Sequence, residues 1–190
     1  VGEMTRRRLS VLWVTAHGRN TRYLLIRSCS KVLLVTAVFC SLGVRPAAAQ
    51  SLLVPMDRLQ ENHLRAYGLT YWTLEQGEKA EWLLNYRGGS FLLPDLPVVR
   101  REAAYRGVSI TGVDAPAEAR IRAMIEGANM EAVPLERAPK VAIYTPPNST
   151  PWDDAVTLVL EYAGIPYEKI WDYQVLEEDL NDYEWIHLHH

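Results

Sequence analysis

From residue 50 onward apolar positions fall in short blocks. Their spacing alternates between the continuous runs of buried strands and the three-to-four-residue repeat of helices. The clearest block covers residues 139–190. Val141, Ala142, Ile143 and Tyr144 form an unbroken apolar run, as a strand covered on both faces of a parallel sheet should. A polar loop stiffened by Pro146 and Pro147 spans 145–150, and a helix is predicted over 151–163. Thr150 is placed to cap it, Pro151 in its first turn and Asp153 at its third position. Asp154, Thr157 and Glu161 make a polar stripe, so Ala155, Val156, Leu158, Val159, Leu160 and Ala163 are expected against a sheet. Gly164 ends this helix, a strand is predicted over 167–171, and a last strand begins at Trp185. The short link into the second strand suits a right-handed crossover.

The preceding stretch reads less regularly. A short strand over 52–54 is followed by Asp57 and Gln60 in capping-box spacing, which predicts a helix over 57–67 stopped by Gly68. Aromatic and β-branched runs at 70–74 and 80–86, with Gln76-Gly77-Glu78 between them, predict a hairpin. Gly88-Gly89 marks a second turn before a strand over 90–93. Helices over 97–105 and 115–126, the second capped by Asp114, alternate with strands over 108–113 and 130–135. The class is α/β: an N-terminal α/β lobe with a β-hairpin over 50–137, then the start of a wound parallel-sheet domain over 138–190.

Charge is distributed unevenly. Residues 1–49 hold eight of the 20 Lys and Arg and one of the 23 acidic residues, leaving twelve bases against 22 acids from Gln50 onward. So acidic a surface repels phosphate backbones and anionic headgroups, and no nucleic-acid partner is expected. Arg27 and Lys31, an apolar run over 32–44, and Ala47-Ala48-Ala49 follow the order of a secretory signal. Cleavage is expected after Ala49, with the remainder exported to the periplasm or beyond. The apolar run is shorter than the roughly twenty residues of a membrane helix, so no stable span is expected once the signal is removed. Both cysteines, Cys29 and Cys40, precede that cleavage point, which excludes a disulfide framework or a cysteine nucleophile from residues 50–190.

Candidate chemistry collects where strand ends are expected. His187, His189 and His190 close the sequence, with His187 and His189 on one face of the last strand. Such histidines suit general acid–base work, and two of them spaced two apart can chelate a metal ion; hydrogen-bonded structural histidines are the alternative. In the loop, Thr145, Asn148 and Thr150 offer hydroxyl and amide groups to a small-molecule or peptide ligand. Arg87 beside Gly88-Gly89 offers either an anion contact or simply a tight turn. The loop lacks the glycines of a dinucleotide fingerprint, and Asp153 and Asp154 oppose a phosphate at the helix end, so no cofactor is assigned.

Residues 50–190 resemble an exported bacterial family labelled asparagine synthetase B-like. The likeness is carried by Asn62-His63-Leu64, Ala66-Tyr67-Gly68, the run from Glu81 to Leu92 with Arg87-Gly88-Gly89-Ser90, Pro151-Trp152-Asp153-Asp154 and the terminal His187-Leu188-His189-His190. It implies a second half with the amidotransferase-like, flavodoxin-like wound fold of class I glutamine amidotransferases. Asparagine synthesis itself is not expected. No cysteine begins the mature chain, and Gly88-Gly89-Ser90 lacks the aspartate of an ATP-pyrophosphatase loop. The nucleophile elbow of amidotransferase-like domains has no counterpart before His190. The expected function is an envelope hydrolase or amidase around the histidines and the 145–150 loop. The alternative is a non-catalytic binding or interaction protein on the same fold.

Overall fold

The computed structural model describes residues 50–177 and 180–188. The expected secretory signal with its cleavage position, both cysteines, His189 and His190 lie outside the described residues. Within them the chain builds a mixed α/β structure from two sheets and five helices.

The larger sheet is antiparallel throughout. Its strands are β1 (Ser51–Val54), β2 (Ala80–Leu84), β3 (Ser90–Pro94), β4 (Thr111–Val113) and β5 (Glu131–Leu135), in the order β4-β1-β3-β2-β5. The pleat sends alternate residues to opposite faces. Leu52 and Val54 pair with Leu93 and Phe91 and face helices α1 (His63–Glu75) and α2 (Pro97–Arg106). Leu53 and Leu92, paired with each other, face the other way with Leu83 and meet Ile121 and Ile125 of α3 (Ala115–Glu126). Both faces of this sheet are therefore closed by helices, in three layers.

α1 departs furthest from the sequence expectation. It starts at His63, capped by Asn62 (Oδ1 accepts from Arg65 N at 3.2 Å), and runs through Gly68 to Glu75. The predicted helix over 57–67, the strand over 70–74 and their hairpin are corrected to this one helix. Asp57 does not cap it. Its carboxylate accepts from Leu59 N at 3.0 Å and Arg87 Nε at 2.7 Å. Gln60 is buried, donating to the Pro55 and Ser109 carbonyls and accepting from Ser109 N. Thr70 and Thr73, read as β-formers, direct their hydroxyls back to Ala66 O and Leu69 O one turn earlier, so the helix satisfies them. The hairpin that does exist joins β2 to β3 through residues 85–89, where Asn85, Arg87, Gly88 and Gly89 all take positive φ.

The smaller sheet is parallel: β6 (Val141–Tyr144), β7 (Glu168–Ile170) and β8 (Trp185–Leu188), in the order β7-β6-β8. Helix α4 (Ala155–Ala163) lies on one face and is preceded by a separate 3-10 turn, Pro151–Asp153. Asp154 between them is extended (φ −135°, ψ 137°), so the single helix expected over 151–163 is broken there. The polar stripe is corrected as well. Thr157 is fully buried, while Leu158 and Val159 are about half exposed. Helix α5 (Asp172–Glu177) follows β7.

α1 and α4 join the two sheets. A Cβ on Gly68 would lie 1.8 Å from the Ala163 carbonyl oxygen, so only glycine permits this crossing. The same oxygen accepts from Arg106 Nη1 at 2.9 Å, and Arg106 is held by Glu102 one turn back in α2. Asn62 Nδ2 donates to Tyr162 Oη, Arg65 stacks over the Tyr162 ring, and Tyr71 Oη donates to Pro139 O at 2.6 Å.

Two outcomes follow. Gly68→Ala, by pushing α1 off the α4 backbone, lowers unfolding free energy by at least the roughly 1–3 kcal/mol of core overpacking; an unchanged urea midpoint would show that the helices are not locked at this crossing. Glu118 of α3 supplies the second. Hydrogen bonds from Arg122 and from Ser51 Oγ hold its carboxyl below the ordinary value. A carboxyl depressed in the folded state stabilises the fold above its unfolded pKa, and that contribution is lost as pH falls through the folded value. Glu118→Gln is therefore less stable than wild type at neutral pH, and the gap closes on acidification, as thermal melts across pH 2–7 would reveal.

Candidate functional site

The order β7-β6-β8 defines where a site belongs. The chain leaves β6 to form β7 on one side, and β8 lies on the other; the carboxyl ends of parallel strands ordered in this way are where wound sheets commonly hold ligands. Three segments meet there: the 145–150 loop, the Pro151–Asp153 turn with Asp154, and the end of β8.

Register fixes which side chains share a face. Ile143 pairs with Lys169 on one neighbour and His187 on the other, so these three residues occupy one face. That is the face α4 covers. Tyr144, paired with Ile170 and Leu188, occupies the opposite face.

His187 Nε2 lies 3.6 Å from Asp154 Oδ2, an ion-pair distance longer than a hydrogen bond. The Asp154 side chain is only 9% exposed, which gives its charge little screening by water. Its other oxygen caps α4, accepting from Val156 N at 2.7 Å. The buried Thr157 hydroxyl reaches Pro151 O at 2.7 Å and Asp154 O at 2.9 Å, tying the turn down from the next turn of helix. The Trp185 ring, two residues along the strand, lies 6.4 Å from the His187 ring at a tilt of 59°.

The loop is held as firmly. Thr145 is buried; its N–H donates to Ile170 O and its hydroxyl to Ser149 Oγ at 3.1 Å. Lys169 Nζ donates to Ser149 O at 2.5 Å. Thr150 N donates to Asp153 Oδ2 at 2.6 Å, so Asp153 is turned back onto its own turn, and Asn148 is exposed at the loop tip.

Of the residues singled out from the sequence, Thr145, Asn148, Thr150 and His187 thus lie near the carboxyl ends of the parallel strands. Arg87 belongs to the β2–β3 turn of the antiparallel sheet, where it pairs with Asp57 at 2.7 Å and holds that carboxyl below the ordinary value. The chelate proposed through His187 and His189 involves a residue outside the described set. Among the described residues no group of three or more His, Cys, Asp or Glu gathers as a metal site. The polar stripe read from the sequence puts Asp154 toward solvent and gives no role to Lys169; parallel register sets Lys169 on the face of His187, while the capping position at the start of α4 brings Asp154 to it.

The opposite face is apolar. Tyr144, Ile170, Val175, Leu180, Ile186 and Leu188 line an open cavity of about 410 Å3. At its rim Tyr144 stacks on Trp171 (4.8 Å, 19°) and donates to Asp172 at 2.5 Å, and that carboxylate raises the phenol pKa.

Compared with known protein families, curated proteins and solved structures, the chain gives no match. No helix among the described residues is long and apolar enough to cross a membrane.

Asp154 thus has both a structural and a chemical partner, and substitutions separate them. Asp154→Ala removes the cap and costs about 0.5–2 kcal/mol of stability. Asp154→Asn retains a capping oxygen and recovers most of that loss in denaturant melts. Equal losses would mean that the charge facing His187, rather than the cap, sets stability here.

Proposed function

We propose that this protein is an exported hydrolase or amidase whose site lies at the strand carboxyl ends of an amidotransferase-like, flavodoxin-like wound sheet. His187 acts as general acid–base and Asp154 orients it. The likeness to exported asparagine synthetase B-like proteins and the secretory pattern of the leader support the setting.

The carrying observation is the buried Asp154 carboxylate facing His187 at the carboxyl end of β8. A carboxylate fixed by a helix cap cannot follow the imidazole, so it selects the ring's orientation and stabilises the imidazolium formed when a proton is taken up. Ser149 Oγ accepts from Thr145 Oγ1, and His187 faces Asp154 rather than Ser149, so water is the nucleophile of this reading. His187 takes a proton from water, the hydroxide adds to an ester or amide carbonyl, and the same proton passes to the leaving oxygen or nitrogen. That engagement of Ser149 is also what favours the second reading, a non-catalytic binding protein in which loop and histidine only hold a ligand.

Turnover of chromogenic esters and of peptide amides by the full chain decides between them. His187→Ala is expected to lower kcat/KM by about 10²–10⁴, the contribution of a positioned acid–base group. Undiminished turnover in that variant overturns the mechanism, and binding of these compounds without turnover in wild type assigns the second reading.

A further inference from the structure

We propose that the apolar cavity beside α5 is the docking site of a basic amphipathic segment of another protein. It lies on the face of the parallel sheet opposite His187, so it is a second surface that does not depend on the hydrolytic reading.

The cavity, about 410 Å3, has the size of a pocket that admits apolar groups. Tyr144, Ile170, Ile186 and Leu188 line it from the sheet, and Val175 and Leu180 line it from the segment that follows β7. Two of these linings are themselves open to water: Leu188 is 64% exposed and Val175 is also exposed. Leu176, next to Val175 in α5, is 79% exposed. Single exposed apolar side chains are ordinary on a protein surface. An open pocket whose own apolar lining faces water is not, and marks a surface that another molecule covers.

Charge decides what that molecule is. Residues 172–184, which carry Val175 and Leu180, hold six Asp or Glu and no Lys or Arg. Asp172 accepts from the hydroxyl of Tyr144, a neutral donor that leaves the carboxylate its charge. Glu177 and Asp182 are exposed, each two residues along the chain from a lining side chain. Glu184, by contrast, is paired with Arg137. An apolar pocket among these carboxylates repels the anionic headgroups of a membrane. A second copy would set like charge against like, on a chain with 22 acids to twelve bases from Gln50 onward. A basic partner avoids both conflicts. A helix with apolar residues three to four apart and Lys or Arg between them fills the pocket with the first and faces the carboxylates with the second.

Fluorescence-anisotropy titration of the full chain tests this with three labelled peptides of about fourteen residues. One places Leu at helical spacing with Lys elsewhere, one scrambles that spacing at the same composition, and one replaces Lys by Glu. The first is expected to bind about tenfold or more tightly than the other two, and to weaken as salt is raised. Leu188→Ser, at a side chain exposed enough to leave the core intact, lowers that affinity about tenfold. Glu177→Gln with Asp182→Asn lowers it too and flattens its salt dependence, whereas His187→Ala on the opposite face leaves it unchanged. Equal binding of the Lys and Glu peptides, or an affinity indifferent to Leu188→Ser, would overturn the proposal. So would a dimer in sedimentation that Leu188→Ser dissolves, which assigns the face to a second copy. Binding to anionic vesicles that is lost in the same variant overturns it as well and assigns the face to a membrane.

Discussion

The contact on which the rest depends is the crossing of α1 over the end of α4, where Gly68 lies directly against the Ala163 carbonyl. Two sheets of opposite type, one antiparallel and one parallel, share no strand and are joined through these helices. At a normal interaxial distance of 8–10 Å side chains would separate the backbones. Removing the Cβ at one position lets them close. Closure in turn brings Arg106 within 2.9 Å of the Ala163 oxygen, satisfying a carbonyl at the helix terminus that has no partner within its own helix. Gly164 completes the arrangement: a Cβ there would meet the Arg106 guanidinium at 2.9 Å. Two glycines and one arginine thus fix where α4 ends.

Where α4 ends also decides where it begins, and its beginning is the candidate site. A nine-residue helix is only about 13 Å long, too short to bend appreciably between its termini. Asp154 at its start is therefore placed by Gly68 at its end. Thr157 explains why the 151–163 segment is not one helix. Its hydroxyl serves the carbonyls of Pro151 and Asp154, and so supports a tighter turn followed by an extended residue. That single extended residue turns the Asp154 carboxylate toward β8, where an uninterrupted helix would have directed it elsewhere.

Elements bounded by local chemistry were legible in the sequence. The helix capped by Asp114 and the helix between Pro97 and Gly107 carry their start and stop signals within themselves, and both are found. The apolar run of β6 and the strand from Trp185 are found as well. What could not be read depends on partners distant in sequence. Gly68 has the form of a helix stop but serves a contact 95 residues away, and the β-branched threonines after it follow the helix because packing outweighs propensity. Thr157 looked like a solvent position because polarity marks a surface only when no buried carbonyl needs a donor. The site was half legible: the 145–150 loop and His187 stood out by residue type. Lys169 became visible only with the register of three parallel strands, and Asp154 only with the break that makes it the cap of α4, neither of which a local pattern encodes.

The two sheets also differ in how completely they are covered, and that difference bears on where function resides. Helices close both faces of the antiparallel sheet, and the larger core clusters lie there. The parallel sheet has α4 on one face and, among the described residues, the six-residue α5 near the other, where the apolar cavity remains open beside exposed Leu176 and Leu188. Few buried contacts per residue mean low local opening free energy. The antiparallel sheet therefore carries most of the stability, and the parallel sheet is the part that opens at lower cost. Lys169 and Thr145 on the loop, and Thr157 on the turn after it, oppose that freedom at the carboxyl ends of the strands. A thinly supported sheet can thereby present Asp154 and His187 in a fixed geometry, because rigidity is supplied by polar contacts to the loop where the apolar core is too small to provide it.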